Sequence, residues 1–141
     1  MQRGRRMAFD FGDVRIGVAV SDPDGILASP VITLKSSDRD LGLALEGLFH
    51  EYEPIAIYIG KPSNMDGSDG SAVRKAEIFR QLVATITRVP ISFIDERMST
   101  VSASRSMRDS GVSSKDAKSR IDQAAAVAIL EFALSIEKNM K

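Results

Sequence analysis

Hydrophobic positions fall at every second place near the start of the chain: Met7, Phe9 and Phe11 alternate with Ala8, Asp10 and Gly12, and Ile16, Val18 and Val20 alternate with smaller residues. A period of two is that of a strand with one face in the core. Strands are therefore expected over 6–12 and 15–21, and the Gly12-Asp13 pair between them predicts a tight turn and an antiparallel hairpin. Asp22-Pro23-Asp24-Gly25 reads as a second turn, followed by a β-branched third strand over 29–34. After Lys35 the period lengthens. Leu41, Leu45, Leu48 and Tyr52 stand three or four apart, as on one face of a helix, which ends before Pro54. The apolar run 55–59 predicts a central strand covered on both faces. Residues 61–70, rich in Gly, Ser, Asn and Asp, predict a loop, and Ala72, Ala76, Phe79, Val83 and Ile86 mark a second helix. Beyond Pro90 come a fifth strand over 91–95, a short helix over 99–110 and a strongly apolar last helix over 121–136. The order βββαβαβαα implies an α/β fold: a five-stranded mixed sheet, three antiparallel strands then two parallel, with helices on both faces.

The 141 residues suit one domain, expected to span 1–141, and no segment reaches the run of roughly 18 apolar residues needed to cross a membrane. The arginines at 3, 5 and 6 lead straight into the first strand, without the apolar stretch of a signal peptide, so a cytoplasmic location is expected. No cysteine is present and His50 is the single histidine, which excludes disulfides, thiolate metal sites and a cysteine nucleophile, and leaves little scope for a triad. Any catalysis must rest on carboxylates. The formal net charge is zero, but residues 97–120 carry six Lys or Arg against Asp109 and Asp116. Such a stretch supplies either sequence-independent phosphate attraction or an ordinary solvated helix surface.

Three acidic positions stand out. Asp10 lies within the first strand between small Ala8 and Gly12, where a charge is costly unless it is paired or metal-bound. Alternatively it is a strand-end acid partnered by Arg15 or by turn amides. Asp95 and Glu96 stand where the fifth strand gives way to a helix, and alternation places Asp95 with Ile91 and Phe93 but Glu96 with Ser92 and Ile94, so one of the two faces a site. A solvated turn with a surface Glu-Arg pair is the plainer account. Asp122 opens the last helix ahead of Ala124, Ala125 and Ala126, where a helix-start acid is favoured by the dipole and by a capping box with Ser119. Taken together, these acids suit the hard-oxygen ligation of Mg²⁺ or Mn²⁺ in two-metal phosphodiester hydrolysis.

The run from Phe9 to Asp22, with Asp10-Phe11-Gly12 and Arg15-Ile16-Gly17-Val18-Ala19-Val20-Ser21-Asp22, resembles the opening signature of the YqgF family, also called RuvX. The resemblance continues through Asn64-Met65-Asp66-Gly67-Ser68, Asp95-Glu96-Arg97-Met98-Ser99-Thr100 and Ile121-Asp122-Gln123-Ala124-Ala125-Ala126, and so covers essentially the whole chain. It implies an RNase H-like nuclease with Asp10, Glu96 and Asp122 as catalytic and metal-binding acids, using Mg²⁺ or Mn²⁺ in a two-metal site. The implied substrates are structured RNA, with the 5′ end of pre-16S rRNA foremost, or branched DNA resolved as a Holliday junction, cut by a monomer or a homodimer. Arg15, Asn64, Arg97, Lys118 and Arg120 are the expected nucleic-acid contacts. Lys61 and Ser63 replace residues that are often apolar in the family, and Met98-Ser99 replaces a more typical Leu-Thr, changes that touch substrate contacts rather than the acids. Two rivals stand beside this reading: a binding protein with structural acids, and an ATPase, since Asp-x-Gly followed by Gly17 also resembles the phosphate hairpin of actin-like kinases. Those kinases duplicate the domain, and this chain supplies one half.

Overall fold

The computed structural model describes residues 1–61, 70–95 and 115–140. Its strands are β1 (Arg6–Phe11), β2 (Arg15–Ser21), β3 (Ala28–Lys35), β4 (Ala56–Lys61) and β5 (Ile91–Asp95). Its helices are α1 (Leu41–Tyr52), α2 (Ser71–Ile86) and α3 (Lys115–Asn139). The strands form one sheet in the order β3-β2-β1-β4-β5. β1 pairs antiparallel with β2 and β2 with β3, whereas β4 is parallel to both β1 and β5. The expected mixed sheet is thus observed. The central strand, however, is β1 rather than β4, because the hairpin strands extend the sheet on one side of β1 and the helical crossovers extend it on the other. The expected helix over 99–110 and most of the 61–70 loop lie outside the described residues.

Alternation sorts the sheet into two cores. Met7, Phe9, Ile16, Val18, Ile57 and Ile59 point to the face covered by Leu41 and Leu45 of α1 and by Phe79 and Val83 of α2. There Phe9 meets Phe79 edge-on at 5.4 Å, and Phe11 stacks on Phe79 at 5.1 Å. The opposite face carries Ala8, Ala19 and Ile94 against Ala125, Ala126, Ile129, Leu130, Ala133 and Leu134 of α3. Burying Ile129 and Leu130 contributes about 1.5–3 kcal/mol each. The alanines add less area but let α3 lie close to the sheet, which is what brings its polar residues to the strands.

The sequence pattern places the start of α3 near Ile121, whereas the helix is already formed at Lys115. Residues 115–120 are mostly polar, so a helical turn there leaves no apolar stripe to read. Asp22-Pro23-Asp24-Gly25 forms the expected turn: Gly25 N–H donates to the Asp22 carbonyl at 3.1 Å, and Gly25 takes a left-handed φ of 68°. The Asp22 carboxylate accepts from the amides of Ile26 (2.7 Å), Leu27 (2.8 Å) and Asp24 (3.2 Å). These bonds, that from Leu27 foremost, hold its pKa below the usual carboxylate value.

A polar cluster ties the start of β1 to the end of α3. Arg6, 1% exposed, donates to Glu137 at 2.9 Å and to the carbonyls of Gly4 and Gln2, and the Tyr58 hydroxyl donates to Glu137 at 2.5 Å. Burial, then the bond to Glu137, raises the Tyr58 pKa well above the ordinary phenol range.

Candidate active site

Asp10 sits near the end of the central strand on the α3 face, 1% exposed. Its lateral partner on β2 is Gly17 and its partner on β4 is Gly60, so neither neighbouring strand sets a side chain beside the carboxylate. The glycine on β2 serves a second end. A β-carbon at Gly17 would overlap the backbone carbonyl of Asp122 and stand 3.0 Å from the Gln123 nitrogen. Only a glycine lets α3 come this near to the sheet, and its approach sets Asp122 over the strand position next to Asp10.

Asp122 is likewise 1% exposed. It stands in the interior of α3, not at its start, so the capping-box and helix-dipole account suggested by the sequence does not apply. Its Oδ2 accepts from Arg15 Nε at 2.6 Å, a charge-assisted bond that orients the carboxylate. Arg15 was the sequence's candidate partner for Asp10, and the structure gives it this bond to Asp122. The helix is pinned at the same level by Thr33 on β3, whose hydroxyl donates to the Ser119 carbonyl at 3.0 Å and accepts from Gln123 Nε2 at 3.1 Å.

The structure therefore brings together Asp10, Asp122 and Arg15 from the sequence-predicted set. Lys118 lines a cleft of about 510 Å³ beside Arg15, with Thr33, Lys35, Ser37 and Ser119. Arg120 is exposed on α3 and is not among the residues lining this cleft. Glu96, Asn64 and Arg97 lie outside the described residues. The face on which the sequence pattern places Glu96 is that of Ile94, which packs with Ala8 and α3 on Asp10's side. Among the described residues no three His, Cys, Asp or Glu side chains gather as a metal group. The donor set nonetheless suits a hard divalent cation: two buried carboxylates on one face, oxygen donors both, with glycines flanking the first.

Sequence reasoning missed Thr33 and Lys35, and it read Gly17 only as part of a motif. A glycine inside a strand signals close backbone approach and was available as a clue. No local signal marks Thr33 or Lys35, because their relation to the acids depends on the β2–β3 register.

Comparison with known proteins identifies the family. The model of one protein family, described as RuvX: Holliday junction resolvase, matches residues 4–136. A Streptomyces avermitilis protein named as a pre-16S rRNA nuclease is 51% identical over 98% of this chain and 90% of its own. A Rhodococcus opacus protein named likewise is 44% identical over 92% of this chain and 76% of its own. Among solved structures, T. thermophilus RuvC in complex with a Holliday junction substrate matches with a TM-score of 0.66, covering 97% of both chains at 14% identity. At that identity the likeness concerns the fold, which is RNase H-like.

Proposed function

From the premise that the chain belongs to the RuvX family, we propose that it is a metal-dependent nuclease that trims the 5′ end of pre-16S rRNA in the cytoplasm, with Asp10, Glu96 and Asp122 as its acids. The observation that carries this reading is the convergence of Asp10 and Asp122, both 1% exposed, on one sheet face through the contact of α3 with Gly17. Burying a carboxylate is unfavourable unless positive charge or hydrogen bonds offset it; Arg15 supplies such charge to Asp122, and a phosphodiester hydrolase provides a reason to set two buried acids on one face.

Asp10 and Asp122, with Glu96, would hold Mg²⁺ or Mn²⁺ here. The chemistry such a group supplies when bound is an activated water and neutralisation of the leaving 3′ oxygen. The remaining work falls to the protein. Arg15 keeps Asp122 aimed, Thr33 and Gln123 pin the helix that carries it, and Gly17 and Gly60 keep side chains away from the reacting phosphate.

The test is cleavage of a pre-16S rRNA fragment and of a four-way DNA junction, side by side, by wild type and Asp10→Asn, with Mg²⁺ or Mn²⁺ and with EDTA. Metal-dependent cutting of the RNA, lost in the variant, is expected. Cutting of the junction alone would make the protein a resolvase. Tight binding without cutting of either would make it an assembly factor with structural acids.

A further inference from the structure

The cleft beside Asp122 carries positive charge that the fold itself does not need. Arg15 and Lys35 are direct partners in the antiparallel β2–β3 register, an arrangement of like charges that destabilises a sheet. Lys118 closes the cleft from α3, and no carboxylate or aromatic ring is among its described lining residues. Arg15 is offset by Asp122, but among the described residues neither Lys35 nor Lys118 makes an ion pair. Ser37 and Ser119 border the same space, and its volume of about 510 Å³ lies within the range of small-ligand sites, roughly 300–1,000 Å³.

We propose that this cleft is a backbone subsite that holds a phosphate of the substrate strand next to the one being cut, gripped by Lys35 and Lys118. The inference rests on the nuclease reading above and extends it to the path of the strand. Arg15 belongs both to the cleft wall and to the Asp122 carboxylate, so the cleft continues the acid site toward the β3 edge of the sheet. A strand with its scissile phosphate at the acids runs its neighbouring phosphate between Lys35 and Lys118. With no ring among the described lining residues on which a base can stack, the grip is on the backbone and independent of sequence.

The experiment measures fluorescence anisotropy of a fluorescein-labelled pre-16S rRNA fragment in EDTA, which separates binding from cleavage, across a KCl series. Lys35→Gln and Lys118→Gln should each reduce the slope of log affinity against log salt by roughly 0.7, which is about fivefold weaker binding at 0.1 M salt. Lys35 is exposed, so its variant tests the grip without a risk to folding. Lys138→Gln, at the other end of α3, should leave the slope at the wild-type value. Unchanged slopes for Lys35→Gln and Lys118→Gln, an equal fall for Lys138→Gln, or no RNA binding by the wild type would each overturn the proposal. The cleavage assay fails or succeeds separately: a lost slope without any metal-dependent cutting keeps the subsite and removes the nuclease, and the converse removes the subsite alone.

Discussion

Replacing Gly17 by alanine tests whether the contact between α3 and β2 positions the acids. The added methyl group would overlap the Asp122 carbonyl, an atom of helix backbone that cannot swing aside as a side-chain tip would. Carbon and oxygen pack at about 3.5 Å, so the helix must withdraw by roughly 1 Å or more. Overpacking of this kind costs about 1–3 kcal/mol. For a chain of this length that lowers the melting temperature by roughly 3–10 °C. The same displacement carries Asp122 away from Asp10, and misplacing a reacting group by 1 Å costs about 100-fold in rate. The assay pairs single-turnover cleavage with thermal melting, at a temperature where the variant is fully folded. Gly47→Ala is the control, since a β-carbon there meets nothing within 4 Å and the residue lies in α1. That variant should melt higher by up to the equivalent of about 1 kcal/mol. A Gly17→Ala protein that melts and cleaves like wild type would refute the reasoning.

Two further outcomes concern the scaffold. Glu137→Ala removes the acid partner of an arginine that is 1% exposed, and should cost about 3–5 kcal/mol by chemical denaturation, a loss that a surface ion pair would not produce. Asp22 titrates below its ordinary value because amides hold its charged form, so its contribution to stability is present above about pH 4 and disappears as the pH falls through the depressed folded-state pKa. The fall in melting temperature of the wild type on acidification through that range should therefore be steeper than that of Asp22→Ala. Equal slopes would remove Asp22 from the acid response.

Much of the fold is written in local pattern. The two-residue period of β1 and β2, the Gly12-Asp13 turn and the wider spacing in α1 and α2 each depend only on neighbours in the chain, and the observed elements follow them closely. The polar first turns of α3 were illegible for the same reason, since without an apolar stripe a helix leaves no periodic trace. Asp122 consequently looked like a helix-start acid, which its buried place inside the helix excludes.

The sequence by itself determined the order and class of the described elements, the division of each strand into two faces and the family resemblance carried by the four motifs. Only the tertiary structure decided that Gly17 admits the helix, that Asp122 comes to rest beside the strand position of Asp10, that Arg15 bonds to Asp122, and that Lys35 faces Arg15 across the sheet. The physical reason is that strand register and helix approach are set by packing between segments far apart in the chain. Asp122 and Arg15 stand 107 residues apart, and no short-range preference records which carboxylate will meet which cation.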